Sequence, residues 1–278
     1  MTVVVFTLII LVGAYFAGLL GSLTGLGGGF IIIPLLTLLL NVDIHYAIGA
    51  SLVSVIATSS GSAAAYVREG ITNMRLGMFL EIATTAGAFS GAILALYIPT
   101  NYIAVLFGLI LICSALLSLR KEVEIIVHQK SYLAEKLKLN SSYPVNGEMV
   151  EYSVTKVVGG FCMMIFAGAI SGLLGIGSGA LKVIAMDNIM RIPFKVSTTT
   201  SNFMIGVTAS ASAVVYFQRG YVSPGLAMPV VIGVLIGAFT GSKLLVNTTS
   251  SKWLRWVFAV VISVLAVQMI YHGLTGKI

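Results

Sequence analysis

The stretch Phe16-Ala17-Gly18-Leu19-Leu20-Gly21-Ser22-Leu23-Thr24-Gly25-Leu26-Gly27-Gly28-Gly29 returns 150 residues later as Phe166-Ala167-Gly168-Ala169-Ile170-Ser171-Gly172-Leu173-Leu174-Gly175-Ile176-Gly177-Ser178-Gly179. The register then holds without a gap. Ser51, Thr58, Ser60, Ser62 and Tyr66 meet Ser201, Thr208, Ser210, Ser212 and Tyr216, and Gly70, Gly87, Ala88, Phe89 and Gly91 meet Gly220, Gly237, Ala238, Phe239 and Gly241. The chain is therefore a duplicated unit. Residues 1–119 form the first repeat, 120–153 a linker and 154–278 the second repeat. Duplication of an apolar unit is one way membrane transporters are built.

Apolar residues make up 58% of the 278 positions and charged residues 9%, against about 25% charge in a soluble domain. The apolar runs are long, rich in Leu, Ile, Val, Ala and Gly, and few alternate like strands. They predict an all-α polytopic membrane protein in a lipid bilayer. A net charge of +7 would suggest nucleic acid in a soluble protein. Here the cations sit at the ends of apolar runs, where membrane topology accounts for them, so no nucleic-acid partner is expected. Cys113 and Cys162 lie inside apolar runs without metal spacing or a disulfide framework, and are expected as buried free thiols. Met1 to Val12 has no basic leader region and reads as a retained first segment. His45, His128 and His272 lie far apart, and no Ser–His–Asp order, paired carboxylate or His-Glu-x-x-His helix occurs. No catalytic set, metal or cofactor is expected.

Each repeat reads as five apolar segments: 3–21, 27–40, 46–66, 76–98 and 101–119, then 154–171, 177–190, 196–217, 225–247 and 252–273. Five is odd, so the second repeat would enter the membrane from the opposite side, giving an inverted repeat. The charges agree with this parity. Arg68, Arg75, Arg120, Lys121, Lys130, Lys136, Lys138, Lys156, Arg191, Lys195, Lys243, Lys252 and Arg255 fall on one side, Arg219 and Lys277 on the other. The positive-inside rule makes the first side cytoplasmic, with both termini outside and the protein in the cell (inner) membrane.

Segments 27–40 and 177–190 are short, roughly 21 Å as helix, where a crossing needs about 20 residues. Each could form a re-entrant hairpin with the segment before it, the glycine string at the tip; ten ordinary spans are the alternative. Neither choice changes the parity. In the linker, Ile126, Leu133 and Leu137 share one helical face, which suits either a short helix on the inner membrane surface or a solvated connector. Tyr143-Pro144-Val145-Asn146-Gly147 reads as a turn.

The glycine strings are the first candidate site. Without side chains at Gly27, Gly28 and Gly29, or at Gly177 and Gly179 around Ser178, the backbone can unwind and approach a ligand. The helix that follows each string would aim unpartnered N–H groups and partial positive charge at it, which favours an anion. Close packing of helices by small residues accounts for such strings equally well. A dinucleotide reading of Gly175-x-Gly177-x-x-Ala180 fails, because no soluble strand precedes it and no acidic residue follows at the required distance. The third segment of each repeat carries a polar stripe, Ser51, Ser54, Thr58 and Ser62 in the first and Ser197, Ser201, Thr208 and Ser212 in the second, with Thr199 and Asn202 beside it. These groups could replace water around an oxyanion or stitch helices together. Asn202 stands where the first repeat has Leu52, and Lys182 where it has Ile32. A cation so deep is expensive and often functional; it could hold an anion, pair with Asp187 or snorkel to the surface. Glu81 could relay protons, snorkel or pair with Arg75, and Lys243 is expected to snorkel.

Gly18-Leu19-Leu20-Gly21-Ser22-Leu23-Thr24-Gly25-Leu26-Gly27-Gly28-Gly29, followed by Phe30-Ile31-Ile32-Ile33-Pro34, resembles the sulfite exporter TauE/SafE family, also called the toluene-sulfonate uptake permeases. Gly172 to Gly179 is similar to the family's second motif, as is Ser197-Thr198-Thr199-Thr200-Ser201-Asn202. The likeness covers the chain except the linker. It implies transport of small anionic sulfur compounds, such as a sulfonate, sulfoacetate, sulfite or thiosulfate, in either direction. Related thiosulfate carriers use several cysteines along the path, which Cys113 and Cys162 do not match. A passive anion channel and a transporter of non-sulfur organic anions remain the alternatives. A homodimer is compatible with this reading, though no interface stands out.

Overall fold

The computed structural model describes residues 3–24, 28–68, 70–118, 131–145, 148–247 and 252–276. Among the described residues, each expected apolar segment carries a helix. The first repeat runs α1 (Val3–Thr24), α2 (Gly29–Pro34), α3 (Ile44–Arg68), α4 (Met74–Ala95) and α5 (Thr100–Ser118). The linker holds α6 (Tyr132–Lys136) and a hairpin of β1 (Ser141–Val145) and β2 (Glu148–Tyr152). The second repeat runs α7 (Val157–Leu174), α8 (Gly179–Ile184), α9 (Phe194–Gln218), α10 (Pro224–Asn247) and α11 (Lys252–Thr275). In lipid a spanning segment must satisfy its own backbone hydrogen bonds, which is why such apolar runs become helices. Among the described residues, five stretches, Val4–Ser22, Ile44–Gly61, Met74–Ala95, Val157–Leu174 and Pro224–Gly241, are long and apolar enough to cross a membrane.

α2 and α8 each continue into a π-helical turn, Leu35–Leu39 and Ala185–Ile189. The helical stretch Gly29–Leu39 is about 16 Å long at 1.5 Å per residue, half of a hydrocarbon core. Pro34 does not cause the π turn, because Ile184 holds the same place in the second repeat. The turns close alike, Val42 N–H donating to the Leu36 carbonyl and Ile192 N–H to the Met186 carbonyl, both at 3.0 Å. Asn41 and Arg191 follow with positive φ of 51° and 59°. The duplication thus reaches the backbone.

The repeats interlock by exchange. α1 packs along α10 and α4 along α7, while α3 meets α9 and α5 meets α11. A methyl built on Gly18 would strike the Val234 carbonyl, and one on Gly168 the Thr84 carbonyl. Gly87 would strike the Ile165 carbonyl, and Gly237 the Tyr15 carbonyl. Each contact becomes its mate when the repeats are swapped. Glycine here permits backbone-on-backbone approach, as small residues do between membrane helices.

The main core runs through both repeats and includes Phe30, Phe107 and Tyr216. A second core joins the linker to the bundle: Ala134, Leu139, Tyr143 and Tyr152 pack with Leu76, Leu80, Met186 and Ile192. The described part of the linker is therefore packed on the bundle rather than a free solvated connector. Leu133 and Leu137 do face outward; Ile126 lies outside the described residues. Val145 pairs with Glu148, so Tyr143, Pro144 and Val145 of the expected turn belong to β1 instead, the residues being drawn into the strand pairing; Asn146 and Gly147 lie outside the described residues. Asn73 fastens the linker to α4. Its carbonyl oxygen caps Leu76 N–H at 3.0 Å, and its amide donates to the Leu139 carbonyl at 2.8 Å and to the Tyr152 hydroxyl at 2.9 Å. Burial pushes the Tyr152 phenol up to about 12. The expected buried thiols are a correction: Cys113 and Cys162 are free but exposed on the outer faces of α5 and α7, where an apolar run leaves room for either orientation.

Candidate anion site between the repeats

The second glycine string unwinds between α7 and α8. Gly175 and Gly177 take φ of 68° and 74°, and Ser178 takes 46°, a left-handed conformation that side-chain-bearing residues seldom adopt. All residues from Ser171 to Ala180 are buried. In the first repeat Gly28 and Gly29 are buried; Gly25 and Gly27 lie outside the described residues. The two strings meet. Ser51 on α3 donates to the Gly175 carbonyl at 2.9 Å, and a methyl on Gly29 would lie 3.3 Å from that same oxygen. Ser201 on α9, the equivalent of Ser51, donates to the Gly179 carbonyl at 3.2 Å. The strings face each other inside the protein rather than its outer surface.

Lys182 stands one turn beyond Ser178 on α8 and is 0% exposed. Its ammonium donates to Thr208 Oγ1 on α9. Thr208 Oγ1 lies 2.7 Å from Glu81 Oε1 on α4 and donates to it. Thr85 donates to the same carboxylate oxygen at 3.2 Å. Glu81 is 8% exposed, and its Oε2 is buried without a hydrogen-bond partner. A cation from one repeat and a carboxylate from the other are thus linked by one hydroxyl. Lys182 does not snorkel, and the carboxylate it reaches is Glu81 rather than Asp187. Glu81 bonds threonines rather than Arg75, which is exposed.

The remaining expected site residues divide. Ser54 donates to the Ser51 carbonyl at 2.7 Å and Thr58 to the Ser54 carbonyl at 2.8 Å. Thr199 donates to the Lys195 and Val196 carbonyls, both at 3.1 Å. These three hydroxyls tie down their own helices, as membrane Ser and Thr commonly do. The side chains of Ser62 and Lys243 lie outside the described residues. Asn202 is 5% exposed and hydrogen-bonds no described residue, while the Ser178 hydroxyl, on a residue 1% exposed, is fully buried without a partner. Unsatisfied buried polar groups are rare and ask for an explanation; an anion's oxygen would satisfy the Ser178 hydroxyl.

Glu81 was the member that sequence reasoning undervalued. The clue is that it is the sole acidic residue of α4, two turns inside a mostly apolar span. Its partner could not be read, because Thr208 lies 127 residues away. Its equivalent in the second repeat is Val231, just as Ile32 stands for Lys182. The charges occupy one of two equivalent places.

The sulfite exporter TauE/SafE family model matches residues 9–269 of the chain. Among curated proteins, the chain is 29% identical over 276 residues to the probable membrane transporter protein YunE of Bacillus subtilis (strain 168), covering 97% of this chain and 98% of that one. It is 31% identical over 236 residues to the probable membrane transporter protein YdhB of the same organism, covering 85% and 89%. The probable membrane transporter protein MJ0441 of Methanocaldococcus jannaschii is 25% identical over 278 residues, covering 95% and 94%. No solved structure matches the chain.

Proposed function

Because the chain belongs to the sulfite exporter TauE/SafE family of membrane transporters, we propose that it carries a small anionic sulfur compound through a site between its repeats. The cargo class is a sulfonate, sulfoacetate, sulfite or thiosulfate. The observation that carries this reading is Lys182, a cation with no exposed surface one turn beyond the second glycine string. A buried ammonium in a membrane protein is retained where it works. The unpartnered Ser178 hydroxyl and Asn202 amide supply further donors, and a tetrahedral oxyanion offers three or four acceptors to match them. Lys182, Ser178 and Asn202 all come from the second repeat, so the two ends of an asymmetric anion meet different walls.

Transport proceeds by alternating access, the repeats rocking around the shared site. The uneven distribution of basic residues supports an inverted arrangement in the cell membrane, with both termini outside and the linker cytoplasmic. A thermal-shift screen of the purified protein against sulfite, thiosulfate, sulfoacetate, taurine, sulfate and small carboxylates tests the cargo class. Sulfur oxyanions should stabilise it most; selective stabilisation by carboxylates would reassign the cargo. In proteoliposomes, concentrative uptake that collapses with an uncoupler distinguishes a carrier from a passive channel. Charge reversal at Lys182 (Lys182→Glu) should abolish uptake, while Lys195→Glu, at an exposed position, should leave it within about twofold.

A further inference from the structure

The Glu81–Thr208–Lys182 chain is not needed to hold its helices together. In the equivalent place Ile32, Thr58 and Val231 serve the same packing of α2, α3 and α10. Apolar replacement of a buried ion pair is often neutral or stabilising, so charges kept on one side only have another use. Resting on the anion-site reading above, we propose that Glu81 is the proton-binding group that couples this transporter to protons, taking up one proton for each anion bound at Lys182.

The argument is one of charge balance. Without cargo, Lys182 is neutralised by Glu81 through the Thr208 hydroxyl. An incoming anion takes over as the counter-ion of Lys182 and leaves Glu81 as a second buried negative charge. A lone desolvated carboxylate is strongly disfavoured, and protonation removes the charge. Oε2 has no hydrogen-bond partner, so the proton adds there without breaking a bond. The O–H bond forms on Oε2, the proton coming from water on the open side. On release the proton leaves, and the carboxylate returns to Lys182 through Thr208. For a monoanion, both the empty and the fully loaded sites are neutral. Anion without proton, or proton without anion, leaves one unpaired charge in the membrane. That penalty is the coupling free energy, and it acts equally on both ligands.

Among the described residues, no charge besides Lys182 is recorded against Glu81. From α9, Thr208 faces it, while Lys195 is exposed near the start of that helix and Tyr216 donates to the Leu173 carbonyl near its end. α7 carries Cys162, which is exposed, after Lys156 at its cap, also exposed. α8 contributes Lys182, and on α4 itself Arg75 is exposed.

Calorimetric titration of methanesulfonate and of ethanesulfonate, monoanions whose charge is fixed near neutral pH, into the full chain tests this. Repeating it in two buffers of different ionisation heat counts the protons taken up. Wild type should take up about one proton per anion and bind about tenfold tighter for each pH unit lowered. Glu81→Gln, with its charge permanently removed, should bind with no proton uptake and no pH dependence. Wild-type binding with zero proton uptake overturns the coupling while leaving the anion site intact, and it needs no variant to fold. Uptake that persists in Glu81→Gln assigns the proton elsewhere and also overturns it. If neither anion binds at any pH, the anion site fails and this inference fails with it.

Discussion

Ser178 and Gly28 occupy the same place in the two repeats, yet only Ser178 takes a positive φ. Holding an L-residue there costs roughly 1–2 kcal/mol, and its hydroxyl makes no internal bond in return. Ser178→Gly should therefore raise the melting temperature while weakening anion binding about tenfold, measured by thermal shift and titration on one sample. Asn202→Leu, which copies the first repeat's Leu52, should behave similarly, because an amide without a partner contributes no bond to the fold. Loss of stability with unchanged affinity would remove either residue from the site. Residue asymmetry is legible in the sequence: Lys182 and Asn202 stand where the first repeat has Ile32 and Leu52. The role of Glu81 is not, since its meaning depends on α4 lying against α9, a contact that no spacing in the sequence encodes.

Between elements, glycine has two separable uses. Gly87 lets α4 reach the α7 backbone, and a methyl there would strike the Ile165 carbonyl; a methyl on Gly61 would meet nothing within 4 Å. Gly87→Ala should cost about 1–3 kcal/mol by overpacking, whereas Gly61→Ala should gain up to about 1 kcal/mol of helix propensity. Paired thermal melts decide this. The ten apolar segments and the shortness of α2 and α8 were legible because hydrophobic run length is read directly against bilayer thickness. The linker hairpin was not. Its strands are five residues each, β1 contains Pro144, and both owe their order to packing on Leu76 and Met186 rather than to their own pattern. Tyr152 gives that packing a pH limit. Its folded value of about 12 exceeds the ordinary 10.0, so its contribution is complete below pH 10 and is lost as pH rises from 10 towards 12. Tyr152→Phe should abolish that alkaline loss, read by hydrogen exchange of the hairpin amides, and should cost about 1–2 kcal/mol through the lost Asn73 bond.

At the scale of the whole molecule, exchange symmetry explains how ten helices pack as one bundle. α1 and α10, and α4 and α7, bind each repeat to the other, so neither half buries its faces alone. The duplication was legible; its interlocking was not, because spacing shows that two units are alike without showing which helices they trade. If the repeats are inverted, equivalent positions lie on opposite sides of the membrane. Cysteines placed at Arg75 and Gly225, both exposed and 150 residues apart, in a chain with Cys113 and Cys162 changed to alanine, should report this. An impermeant maleimide should label position 225 in intact cells and position 75 only after permeabilisation. Labelling of both from one side would rule out inversion. The most direct test of the shared anion site is binding of sulfur oxyanions to purified protein carrying Lys182→Met with Glu81→Gln, a pair that removes both charges and leaves neither unpaired. The expected result is a folded protein whose affinity falls about a hundredfold or more from wild type; affinity equal to wild type would contradict a site built on Lys182.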